Sequence, residues 1–133
     1  MSEGGVYFPV RAGFCRDRAA RLLRRRHGAA GIGCYVILLC LLLEEPGAAM
    51  DVSTPDGMDD LAEEFGVGRD ECAALLRDMA AGGLVDPDSL ADGVVRCRVT
   101  DEACEVWQAI AEKRRAAARS RWAKERRPQG SGR

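Results

Sequence analysis

The sequence is short of aromatics, of histidine, of paired cysteines and of any apolar run long enough to cross a bilayer, and each shortage removes a class of protein. Only 5% of its 133 residues are Phe, Trp or Tyr. The core must be filled by Leu, Val, Ile, Ala and Met, which favours helices over a β-sandwich. The one histidine, His27, has no cysteine at finger-like spacing, and the six cysteines contain no CxxC. A zinc site is therefore not expected. Most of the cysteines fall at apolar positions of periodic segments, where they read as small reduced hydrophobes of a cytoplasmic protein. The longest apolar run, Ile32 to Leu43, is bounded by Arg24-Arg25-Arg26-His27 and by Glu44-Glu45-Pro46. A membrane span needs about 20 apolar residues, so this run reads as a central core helix. It also lies too far from Met1, with no small-residue cleavage pattern after it, to be a secretory signal.

Recognisable catalytic chemistry is missing too. Gly28, Gly31 and Gly33 stand in GxxGxG order, not the GxGxxG of a dinucleotide turn, and no strand precedes them. Neither a nucleophile elbow nor a Cys and His pair at meaningful spacing occurs. The expectation is a protein that is not an enzyme, with no cofactor, no small-molecule substrate and no membrane partner.

What the chain does have is charge, unevenly placed. The formal net charge is −1. Residues 1–43 carry seven arginines against two acids (+5), residues 44–106 four against seventeen (−13), and residues 107–133 nine Lys or Arg against two acids (+7). A polyanion would meet two basic ends flanking an acidic middle.

The organisation follows from periodicity. A lead-in, 1–5, is expected to be disordered. A domain over 6–112 and a basic helical or disordered tail over 113–133 are expected to follow. A helix from about Arg16 to His27 turns Ala19, Ala20, Leu22 and Leu23 inward and closes at Gly28, with cations at its negative end. Small residues from Gly28 to Gly33 open the central helix and allow a close approach to a neighbour, and Pro46-Gly47 ends it. A short extended piece around Met50-Asp51-Val52 is followed by two helices. One carries Met58, Leu61, Ala62 and Phe65; the other, from about Arg69 to Ala81, turns Cys72, Leu75, Leu76 and Met79 inward. Gly66-Val67-Gly68 separates them. Leu84-Val85 starts an extended segment, Asp86 to Gly93 is a polar loop, and Val94 to Val99 alternates as a strand does. A final helix capped by Thr100 or Asp101 carries an apolar stripe of Ala103, Val106, Trp107 and Ile110. The fold class is mainly α with a small β-hairpin: a winged helix-turn-helix extended by N-terminal helices and a long C-terminal helix.

This order of features resembles the N-terminal domain of phage replisome-organiser-like proteins, a phage and prophage domain of unknown function. The resemblance rests on Tyr7-Phe8-Pro9, an arginine-rich helix, HGAAGIGCY from His27 to Tyr35, and a hydrophobic helix ending Glu44-Glu45. It continues through Leu61 to Val67, Gly83-Leu84-Val85 and the basic segment Arg114 to Trp122. Val10-Arg11 stands where members usually carry a His-Asp pair. The resemblance implies a winged-helix domain linked to replication initiation or DNA handling.

The residues themselves qualify how DNA would be met. The start of the second helix of a helix-turn-helix enters the major groove, and Asp70 and Glu71 stand there, where they repel phosphate. Arg69, Arg77, Arg96 and Arg98 are the few cations of that region. The attraction is expected instead from Arg16, Arg18, Arg21, Arg24, Arg25 and Arg26 of the first helix. Lys113, Arg114, Arg115, Arg119, Arg121, Lys124, Arg126 and Arg127 of the tail would add to it, giving non-specific, salt-dependent contact with duplex or single-stranded DNA. Trp122 offers a stacking surface for an unpaired base. The alternative is an assembly module whose acidic helix-turn-helix face binds replication proteins or another copy without touching DNA.

Overall fold

Two helices meet at a single glycine in the computed structural model, which describes Tyr7 and residues 9–125. Gly28 closes α1 (Arg18–His27) and opens α2 (Ala29–Glu44). Its φ of +70°, accessible to glycine at little cost, lets the chain bend by 119° between the two helices. The close approach expected of the small residues is found at Gly31: a Cβ there would lie 2.8 Å from His27 Cβ and 3.2 Å from the Leu23 carbonyl oxygen. Tyr35, Leu38, Leu39 and Leu42 of α2 are buried in the centre of the core. No single helix among the described residues is long and apolar enough to cross a membrane.

A turn at Pro46–Ala48 leads to β1 (Met50–Asp51), α3 (Pro55–Phe65) and α4 (Arg69–Ala81). Thr54 caps α3, its hydroxyl oxygen accepting from the Gly57 amide at 3.1 Å, and Pro55 stands at N1, where its missing N–H costs nothing. Gly66, left-handed at φ +73°, ends the helix. Leu61, Ala62 and Phe65 of α3 and Cys72, Leu75, Leu76 and Met79 of α4 are buried, as their spacing predicts. α4 ends against α1, with Gly82 where a Cβ would come within 3.0 Å of Ala19 Cβ.

The second half departs from expectation in three places. The sheet has two antiparallel strands, but they are not a hairpin of neighbouring segments: β2 (Val94–Val95) pairs with β1, Met50 opposite Val95 and Asp51 opposite Val94. Leu84-Val85 is not a strand, although the Asp86 amide donates to the Arg96 carbonyl at 2.8 Å. The polar loop holds a one-turn helix, α5 (Pro87–Ala91), with Asp86 as its cap and Pro87 at N1. The final helix, α6 (Arg98–Glu125), begins before the expected cap; Thr100 is buried inside it and donates its hydroxyl to the Cys97 carbonyl at 3.0 Å. Of its apolar stripe only Ala103 is buried, while Val106 is 57% exposed. The lead-in 1–5, Phe8 and 126–133 lie outside the described residues.

All six cysteines are free thiols, and burial pushes Cys72 up to about 11 and Cys97 up to about 12.

Candidate nucleic-acid interface

The outer side of α1 is an open cationic surface. Arg18, Arg21 and Arg25 follow an i, i+3, i+7 spacing that places them on one stripe, across the helix from the buried Ala20 and Leu23. All three are exposed, and none forms an ion pair among the described residues. Arg16, in the short Phe14–Arg16 turn, is exposed beside the start of α1. Arg24 reaches back to the Cys15 carbonyl at 3.4 Å.

The other end of the arginine run is engaged with the fold. Arg26 Nη1 lies 2.6 Å from Asp78 Oδ1, and His27 Nε2 lies 2.6 Å from Asp78 Oδ2. Asp78 therefore does not stand free on α4; it ties α4 to α1. Burial alone would raise its pKa, but the hydrogen bonds from His27 and Arg26 outweigh that and hold the carboxyl below the usual range.

The arginines around α4 and the sheet contribute less. Arg69 makes a two-pronged bond to Asp59, both N···O distances 2.6 Å, which holds that carboxyl low and occupies the guanidinium. Asp70 and Glu71 occupy the first turn of α4, exposed. Arg77 is exposed on α4. Arg96 is half-buried and bonds the Gly47 carbonyl at 3.2 Å, bracing the turn after α2. Arg98 sits at the first position of α6 and lines a cleft instead of joining a cationic stripe.

The distal half of α6 carries the second basic surface. Lys113, Arg114, Arg121 and Lys124 are exposed on it. Arg115 and Arg119 both bond Glu112, at 2.7 and 3.2 Å, and hold its pKa low. Trp122 is 58% exposed. Arg126 and Arg127 lie outside the described residues. α1 packs on α2 and α4, and α6 packs on α2 and the Pro46–Ala48 turn, so the two basic helices share α2 as a support.

The family model described as Lin1244/Lin1753-like, N-terminal, matches residues 7–96. The chain belongs to this family. It is a phage- and prophage-type family of unknown function. No curated protein and no solved structure matches the chain. The Lin1244/Lin1753-like region takes in α1 with its arginine stripe, the α3–α4 pair and both strands, and stops before α6.

Two features of the site escaped sequence reasoning. One is the engagement of cations by Asp59 and Asp78, two of the acids that do so; the latter lies 51 residues from His27, so no local pattern announces that contact. The other is a cleft of about 630 Å³ between residues 9–17, α2, Leu84 and the start of α6. Phe14, Ile32, Tyr35, Val36, Leu39 and Val99 form its apolar walls, with Arg11, Asp17 and Arg98 as its charged members. Phe14 stacks on Tyr35 at 5.6 Å between ring centres.

Proposed function

We propose that this is a nucleic-acid-binding protein of the replisome-organiser type, linked to replication initiation, that holds DNA through its phosphates and reads little sequence. The observation that carries the reading is the α1 stripe of Arg18, Arg21 and Arg25, exposed and free of ion pairs among the described residues. Cations that cost nothing to withdraw from an internal partner are the ones available to displace counterions from a phosphate backbone. Lys113, Arg114, Arg121 and Lys124 add a second set on a helix about 42 Å long.

From α2 through β2 the order is helix, strand, helix, short turn, helix, one-turn helix, strand, which supports a winged helix-turn-helix with α4 in the recognition position and α5 leading into the wing. The Asp86–Arg96 hydrogen bond would then mark the base of the wing. Asp70 and Glu71 at the front of α4, with Arg69 held by Asp59, argue against base reading by that helix. The same exposed acids, with Asp56, Asp60, Glu63 and Glu64 of α3, favour a second reading in which this face docks a basic replication protein.

Fluorescence anisotropy with labelled duplex and single-stranded DNA over a salt series tests the proposal. Replacing Arg18, Arg21 and Arg25 together by Glu should flatten the slope of log K against log salt by about one unit for each phosphate that is no longer neutralised. The same change at Lys113, Arg114, Arg121 and Lys124 measures the share carried by α6. Absence of binding by the unaltered chain at low salt would leave the assembly reading in its place.

A further inference from the structure

α2 is the centre of the core, yet one side of it has no cover within the described residues. Ala29, Gly33, Val36 and Cys40 are exposed at spacings that form a single stripe, with Ile37 half-buried beside them. Val36 is 40% exposed. From Ala29 to Leu43 the helix holds no charged side chain, on a chain in which 31% of residues are charged. A helix apolar all round belongs inside a larger body. Val36 is also a wall of the cleft, so the stripe runs on into the apolar surface of Phe14 and Val99.

We propose that this face is covered by the same face of a second copy, the two α2 helices lying antiparallel about a two-fold axis near Val36 and Ile37. In such an interface each residue near the axis meets its own kind, so a charge there would face a like charge; the stripe has none. The charges stand at the two ends. Glu44 and Glu45 are exposed at the C-terminal end of α2, and Arg24 and Arg25 are exposed in the last turn of α1, directly before the N-terminal end. Among the described residues none of the four forms an ion pair. Antiparallel pairing brings the acids of each copy to the arginines of the other and opposes the two helix dipoles. A parallel pairing would put like charges together at both ends. Ala29 and Gly33 carry almost no side chain in the stripe, which lets the backbones approach closely. A helix of about 24 Å covers less than the ~800 Å² a side of a standard interface. The adjoining cleft walls must therefore join it, and a moderate, concentration-dependent affinity follows.

Sedimentation equilibrium of the full chain tests this. The mass should rise from 14.4 kDa toward twice that value with concentration. Val36→Glu should weaken association by about 100-fold or more, because each dimer would bury two like charges, while far-UV circular dichroism and the melting temperature stay as they were at a concentration where the unaltered chain is monomeric. Glu44→Arg with Glu45→Arg should weaken it by about 10-fold, and adding Arg24→Glu with Arg25→Glu should restore it. A monomer at every concentration up to about 1 mM, or a dimer indifferent to Val36→Glu, overturns the proposal. Failure of the double reversal to restore association overturns the antiparallel arrangement.

Discussion

α2 and α6 are the two longest helices, and they are helical for different reasons. α2 has six buried residues among sixteen, and Leu38 and Leu42 have no exposure at all. α6 has two buried residues, Thr100 and Ala103, in a length of twenty-eight. The first owes its stability to tertiary burial, which outweighs glycines at 31 and 33. Beyond about Ala111 the second relies on its alanines, on the pairs from Arg115 and Arg119 to Glu112 and on the length over which helix propagates. One is rigid because the domain is folded around it; the other can present charge at a distance because so little of it is engaged.

The largest effect should come from a charge in the centre of α2. Leu38→Asp would bury an unpaired carboxylate where exposure is now zero, and the cooperative thermal transition should disappear. Leu38→Ala should keep the fold at a cost of about 2–5 kcal/mol in urea titration. Next is the packing of α2 on α1: Gly31→Ala drives a Cβ to 2.8 Å from that of His27 and should cost about 1–3 kcal/mol by the same measurement. Gly33→Ala meets nothing within 4 Å and should instead stabilise the monomer by about 0.5–1 kcal/mol.

The α1–α4 tie comes third. Asp78→Asn should cost about 1–2 kcal/mol at neutral pH, at the low end for bonds to a charged group because the side chain is 19% exposed. The folded-state pKa of Asp78 lies below its unfolded value. Its contribution is therefore present above the ordinary carboxylate range and is lost as the pH falls through the folded value. The stability gap between the unaltered chain and Asp78→Asn should close below about pH 4. The smallest global effect is expected in α6: Ala117→Gly, at an exposed position, should lower the helical signal at 222 nm by local fraying while leaving the melting temperature of the domain unmoved. A shift as large as that of Gly31→Ala would mean that the distal half of α6 is bound into the core.

Local patterns made much of this readable. The inward residues of α3 and α4, the glycine break between them and the extended piece at Met50-Asp51 follow from spacing and turn chemistry. α5 carried its own signal, an Asp cap with Pro at N1, but five residues in a polar loop are too few for periodicity to speak. Of the strand expected over Val94 to Val99 only Val94–Val95 forms: Val95 and Cys97 are buried at spacing two, as in a strand, but the chain turns helical at Arg98. A period of two over so few residues cannot mark where a strand gives way to a helix.

By itself the sequence determined the helical class, the central place of Ile32 to Leu43 and the division into basic, acidic and basic thirds, because periodicity, run length and charge are properties of neighbours along the chain. Only the tertiary structure decided that Met50-Asp51 is the partner of Val94-Val95. The same holds for Arg26 and Arg69, which are engaged by acids 52 and 10 residues away, while Arg18, Arg21 and Arg25 stay open. It also decided that the most apolar helix keeps one side uncovered. Those outcomes depend on which surfaces meet once the chain has bent at Gly28, and no local pattern encodes the meeting of distant segments.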